Sequence, residues 1–268
     1  MLDLLPNLLV AGFYGAVAFD FWRSGKRGTA ADHAPWHHVA IAIGLLLHGV
    51  LLYQSLFFGG FNLGVTTALS AIFWLTVLIY WIADLKRELH SLQAFVLPPA
   101  ALFVILQSLL PETHLLPYAH QPAFLWHLVI ALLAYSLFTF AALHALLMTV
   151  AERSLHRKPT LIRLPDFPPL IVMEKLLFRI ITLGFLLLTL TLVSGVVFSE
   201  QLFHQPLKFN HKNVFTILSW LIFGALLIGR YRYGWRGKTA IRWTLSGFGI
   251  LLLAYIGSKF VLEIVLGR

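Results

Sequence analysis

Long stretches without a charged side chain are the feature of this sequence that most limits its fold. Residues 33–83 contain no Asp, Glu, Lys or Arg, and shorter uncharged stretches occur along the rest of the chain. A helix that crosses a bilayer needs about 20 predominantly apolar residues. The sequence therefore predicts an all-α, polytopic membrane helix bundle with about eight transmembrane helices, at residues 4–22, 36–57, 63–82, 92–110, 122–150, 176–199, 213–229 and 241–264.

The composition supports a single integral membrane domain over residues 1–268. Apolar residues make up 59% of the chain and charged residues only 12%, whereas soluble domains are about 25% charged. The first basic cluster follows the first apolar segment, so we expect an uncleaved helix with its N-terminus outside. The chain has no cysteine, which excludes disulfides, Fe–S ligation and covalent haem capture by the chain itself.

The basic residues are distributed unequally between the two sides of the predicted bundle. Of the 20 Lys and Arg residues, all but Lys208, Lys212, Lys259 and Arg268 fall in or beside alternate connections. Membrane proteins concentrate Lys and Arg on the cytoplasmic side. We therefore expect a bacterial inner-membrane protein with both termini periplasmic. The net charge of +9 follows from this topology, and no nucleic-acid partner is expected.

Four of the 12 histidines fall within or at the outer ends of the predicted spans. His48 lies near the middle of the second helix, His127 near the outer end of the fifth, and His211 at the outer start of the seventh. His144 lies 17 residues beyond His127, or about 25 Å deeper. An ionisable group inside a bilayer is costly, so each one is a functional hypothesis. The alternative for each is a neutral imidazole that is hydrogen-bonded to a neighbouring helix.

His127 and His211 are predicted to lie at the same outer level on different helices. Two imidazoles that face each other can ligate one haem iron from both sides. Trp126 and Trp220 could provide flat apolar walls, and Lys212 could meet a haem propionate. The alternative for Lys212 is a basic residue that only caps the outer interface.

A deeper site at His48 would need a second ligand, and His144 is the available candidate. Their predicted depths differ by about 6 Å at 1.5 Å per residue. Zinc is disfavoured as the metal because the chain has no Cys and no closely spaced His and carboxylate ligands on a span. No nucleophile elbow, P-loop or dinucleotide fingerprint occurs in the sequence.

Several motifs in the second half of the chain match a known family. They are Glu174-Lys175-Leu176-Leu177-Phe178-Arg179, Leu183-Gly184-Phe185, Ser194-Gly195, Ser219-Trp220-Leu221 and Gly234-Trp235-Arg236-Gly237. These motifs, together with Trp126-His127, resemble the cytochrome c assembly protein family, the CcsA- and HemX-like membrane proteins that handle haem. The outer segment, residues 209–215, departs from the tryptophan-rich family pattern and looks more like the HemX- and YpjD-type branch.

The resemblance implies a membrane protein that binds haem b non-covalently and handles it for cytochrome c assembly or haem homeostasis, without turnover chemistry. His48 best matches the family's earlier membrane histidine. The implied partners are haem, the lipid bilayer and other membrane or cytochrome assembly proteins. Two alternatives stay open: a transporter of another small substrate with His48 as the proton-coupled group, and an accessory membrane subunit without a cofactor.

Overall fold

A computed structural model describes residues 4–27, 35–58, 60–87, 93–110, 121–156, 169–203 and 211–257 of the chain. These residues form eight α-helices, which confirms the predicted all-α class. The helices are α1 (Leu5–Arg27), α2 (Pro35–Phe57), α3 (Val65–Arg87), α4 (Gln93–Leu109), α5 (Pro122–His156), α6 (Leu170–Phe203), α7 (His211–Tyr233) and α8 (Gly237–Leu252), and a π-helical turn, Leu253–Gly257, follows α8.

Several helices extend beyond their predicted ends because the prediction stopped at charged residues. α5 continues to His156, α6 begins at Leu170, and α8 begins at Gly237. Long basic side chains can extend from a helix end towards water, so a charge does not have to end a helix. The predicted end of the eighth helix, at residue 264, lies outside the described residues.

Within the described part of the chain, five helices are long and apolar enough to cross a membrane. These spans are Trp36–Phe57, Val65–Leu85, Pro122–Arg153, Leu170–Val197 and Lys212–Tyr233, and two shorter apolar stretches are Leu5–Asp20 and Phe95–Leu109. Length and composition therefore agree with a multi-pass helix bundle.

The chain divides into two compact units. The first comprises Met1–Pro117 with Leu147–Met173, and the second comprises Tyr118–Leu146 with Glu174–Arg268. In the first unit, α1 packs on α2 and α4, and α3 also packs on α2 and α4. Helices α1 to α4 of this unit therefore form a closed ring. The single integral domain expected for residues 1–268 stays a prediction.

In the second unit, an aromatic contact joins α5 and α7. The Phe138 ring of α5 stacks on the Phe223 ring of α7, with centroids 3.9 Å apart, and both side chains are fully buried. Helix α7 packs in turn on α8, where the Ser219 hydroxyl donates to the Gly247 carbonyl at 2.9 Å. These contacts fix the positions of the helices that carry His127 and Lys212.

Candidate functional site

His127 lies near the start of α5 and is held by a hydrogen bond with α6. Its Nδ1 is 2.7 Å from the Ser194 Oγ, and the Ser194 hydroxyl donates to the Thr191 carbonyl at 3.1 Å. The Ser194 hydroxyl has one proton, so both bonds form together when the His127 Nδ1–H donates to Ser194. A hydrogen bond of this kind on one ring nitrogen is how proteins orient a histidine that ligates a metal.

The start of α7 lies at the level of His127. Phe138 and Phe223 are in contact, and α5 and α7 run in the same direction by the order of the helices. The residue 11 positions before Phe138 is His127, and the residue 11 positions before Phe223 is Lys212. These two side chains interact electrostatically. His211, the residue before Lys212, therefore begins α7 at the same level. The His211 side chain lies outside what the structure describes, so its pairing with His127 stays a prediction.

The two predicted aromatic walls have different surroundings. The Trp126 side chain is 67% exposed beside His127. Trp220 instead joins α7 to α6, because its indole N–H donates to the Thr189 Oγ1 at 2.8 Å. One face of the Trp220 ring is stacked on Phe185, with centroids 5.5 Å apart. Trp126 is therefore the more accessible of the two for a bound flat molecule.

His48 is fully buried within the first unit and both of its ring nitrogens are hydrogen-bonded. Its Nε2 is 2.9 Å from the Ser70 Oγ on α3, and its Nδ1 is 3.4 Å from the Tyr14 hydroxyl on α1. As an iron ligand, His48 would have to give up one of these bonds. Its assignment as a ligand stays a prediction.

His144 is fully buried in α5, and its ring lies parallel to that of Phe140, with centroids 6.2 Å apart. It belongs to the second unit, whereas His48 belongs to the first. Ligation of one haem by both of these histidines therefore stays a prediction.

Two further histidines of the first unit form contacts that the sequence did not reveal. His37 Nε2 is 3.1 Å from the Asp20 Oδ2, and His38 Nε2 is 3.7 Å from the Asp84 Oδ2. Each contact joins two helices. Across the described ranges, no three His, Asp or Glu side chains lie together as a metal cluster would require. A haem, in contrast, needs only one or two axial ligands from the protein.

A buried carboxylate in the second unit was also missed, because Glu174 was placed outside the sixth helix. Its Oε1 is 2.8 Å from the Arg230 Nη1 and 3.5 Å from the Arg236 Nε. Its Oε2 accepts the backbone N–H of Gly237 at 3.1 Å. Glu174 therefore ties the start of α6 to the connection between α7 and α8.

That connection contains the Gly-Trp-Arg-Gly motif and depends on its glycines. Gly234 has a φ of +66° and Gly237 a φ of +52°, in the left-handed region that other residues rarely adopt. The Trp235 ring packs against Gly229, where a Cβ atom would overlap it. The motif thus forms a tight turn that presents Arg236 and the Gly237 N–H to Glu174.

The fold and its apolar spans define a multi-pass helical membrane protein. Comparison with known proteins gives its family. The family model described as Cytochrome C assembly protein matches residues 36–266. The chain therefore belongs to this family, as its motifs predicted. It is a multi-pass inner-membrane protein, in agreement with its apolar helices and its relatives.

Two relatives show how the similarity is distributed along the chain. The Inner membrane protein YpjD of Escherichia coli strain K12 is 28% identical over 244 residues, which cover 89% of this chain and 92% of the relative. The Cytochrome c biogenesis protein CcsA of Prochlorococcus marinus is 37% identical over 89 residues, which cover 33% of this chain and 28% of the relative. Similarity to YpjD thus extends along most of the chain, and similarity to CcsA along a third of it.

Proposed function

We propose that this protein binds haem b non-covalently at the start of α5 and α7 and handles it for cytochrome c assembly or haem homeostasis. His127 is one axial ligand and His211 is the other. The observation that carries the proposal is the 2.7 Å hydrogen bond between His127 Nδ1 and Ser194 Oγ, because a hydrogen bond on one ring nitrogen is how proteins orient a histidine that ligates a metal through the other.

The groups around His127 suit the chemistry of a haem. Trp126 provides exposed aromatic surface, and Lys212, which interacts electrostatically with His127, provides a positive charge for a propionate. Non-covalent binding follows from the absence of cysteine, since covalent attachment of haem uses thiols. The bound haem supplies its own iron chemistry, and the protein holds and orients it.

The family gives this site its cellular context. One relative is named as a cytochrome c biogenesis protein, and we propose a role of the same kind for this chain. The expected partners are haem, the surrounding bilayer and other membrane or cytochrome assembly proteins. We expect no turnover chemistry from the chain.

Absorption spectra of the purified protein in detergent, oxidised and reduced, test the proposal. Wild-type protein should show the Soret band of a low-spin haem. His127→Ala and His211→Ala should each lower the haem content about tenfold or more, or shift the spectrum towards high spin. Added imidazole should partly restore the spectrum. Because both residues act on one iron, the double variant should lose little more than either single variant.

Matched controls are His120→Ala and His204→Ala, since both residues belong to connections predicted to lie on the same side. If the controls lose haem as readily as His127→Ala and His211→Ala, the ligand pair is wrong. A wild-type protein without a Soret band would contradict haem binding and would favour the two alternatives, a transporter of another small substrate or an accessory subunit without a cofactor. If haem is present and all four variants keep it, the iron is ligated elsewhere, and His48 is the next residue to replace.

A further inference from the structure

The second unit has a groove with a basic rim where α6 begins and α7 ends. It is lined by Lys175, Phe178, Arg179, Thr182, Leu183 and Arg230, is open to the surface and has a volume of about 560 Å³. We call these six residues the basic groove. The haem ligands proposed above are not among them, so the groove is a separate feature of the unit.

The three basic residues of the groove differ in how they are held. Arg230 is fixed by Glu174 at 2.8 Å, and its guanidinium lies 4.6 Å from the centre of the Phe178 ring. Lys175 and Arg179 are exposed and lie four residues apart, on one face of α6. The described residues form no ion pair with either of them. The rim of the groove is therefore positively charged.

An exposed apolar stripe continues along α6 from the basic groove. Leu183, Leu186, Leu190 and Val193 recur at intervals of three or four residues and are each 52–57% exposed. Residues at this spacing share one face of a helix. The ten steps from Leu183 to Val193 extend about 15 Å, which equals half of the roughly 30 Å hydrocarbon core of a bilayer.

From the charge of the rim and the length of the stripe, we propose that the basic groove binds an anionic phospholipid. The phosphate of its headgroup accepts hydrogen bonds from Lys175 and Arg179, beside Arg230. One acyl chain lies against the stripe from Leu183 to Val193. Basic pockets between transmembrane helices are suited to anionic headgroups. A free phosphate would share the headgroup chemistry but would leave the apolar stripe unused.

Native mass spectrometry of the detergent-purified full-length protein measures this binding. Phosphatidylglycerol should bind more tightly than phosphatidylcholine, and inorganic phosphate should not compete at millimolar concentration. Each basic residue near an anionic headgroup accounts for about a fivefold change in affinity. Lys175→Gln with Arg179→Gln should therefore weaken phosphatidylglycerol binding roughly 25-fold.

The control removes two charges from exposed residues of the same unit outside the groove, with Arg232→Gln and Arg242→Gln. It should stay within about twofold of wild type. Equal loss of binding in both double variants, equally tight binding of phosphatidylcholine, or displacement of the lipid by inorganic phosphate would each overturn the proposal. If the Lys175 and Arg179 double variant does not fold, Arg179→Gln alone should weaken binding about fivefold, and wild-type affinity in that variant would also overturn it.

Discussion

His48 in the first unit and His127 in the second are the same residue type in two different arrangements. The fully buried His48 has both ring nitrogens hydrogen-bonded, to Ser70 and Tyr14. His127 is only half-buried and is held through Nδ1 by Ser194. The first arrangement joins three helices, and the second fixes the His127 ring against α6, as the proposed haem site requires.

This comparison shows that the burial of a histidine in a membrane protein is not enough to indicate a ligand. The cost of placing an imidazole in a bilayer can be met by hydrogen bonds to neighbouring helices, as it is around His48. What indicates a ligand is a hydrogen bond that fixes one nitrogen and leaves the lone pair on the other. If the two histidines differ in this way, their replacement should have different effects on stability and on haem binding.

The largest expected effect tests the predicted topology of the chain. The site at His127 lies on the periplasmic side only if that topology is correct. Reporter fusions after Arg236 should report a cytoplasmic position, and fusions after His204 a periplasmic one, because basic residues accumulate on the cytoplasmic side. Enzymatic reporters that are active on only one side of the membrane give an all-or-none answer. A periplasmic position after Arg236 would place His127 at the cytoplasmic face.

Replacement of His48 should destabilise the protein without changing its haem spectrum. His48→Ala removes the partner of the buried Ser70 and Tyr14 hydroxyls and leaves a cavity, at a cost of roughly 2–4 kcal/mol. Thermal melting in detergent, followed with the Soret band of the folded fraction, measures both properties. Tyr14→Phe is the matched control and should cost less than about 1 kcal/mol, because it removes only the 3.4 Å bond. Unchanged stability with lost haem in His48→Ala would make His48 a ligand and reverse the comparison.

His144 should resemble His48 in its effect on stability but to a smaller extent. The His144 side chain is fully buried near the Phe140 ring, so His144→Ala should cost about 2 kcal/mol through the cavity that it leaves. Its haem content and spectrum should equal those of wild type in the same detergent. A changed spectrum in the folded variant would instead support the deeper site.

The smallest effect is expected at Ser194, which acts on the site only through His127. Ser194→Ala removes the acceptor that fixes the His127 tautomer, and haem affinity should fall about tenfold. Titration of the apoprotein with haem measures this change, and the absorption spectrum shows whether the iron changes its spin state. Ser194→Thr keeps a hydroxyl and should restore most of the affinity. Full affinity in Ser194→Ala would show that His127 needs no partner on α6.

The sequence predicted the helices well because their signal is local. A bilayer span needs a long run of apolar residues, and that run is visible without any knowledge of neighbouring helices. The predicted bounds failed mainly where a helix continues past a charge, as α6 does from Leu170 through Glu174. The family was also predicted from motifs, and the match over residues 36–266 confirms it.

By itself, the sequence determined that this chain forms a multi-pass helical membrane protein of the cytochrome c assembly family, and it identified His127 as a candidate. Only the tertiary structure decided which side chains meet: Ser194 with His127, Ser70 with His48, and Arg230 with Glu174. These partners are 67, 22 and 56 residues apart in the chain. Local periodicity does not predict contacts between residues this far apart, because each contact depends on how two separate helices pack and not on the pattern within either helix.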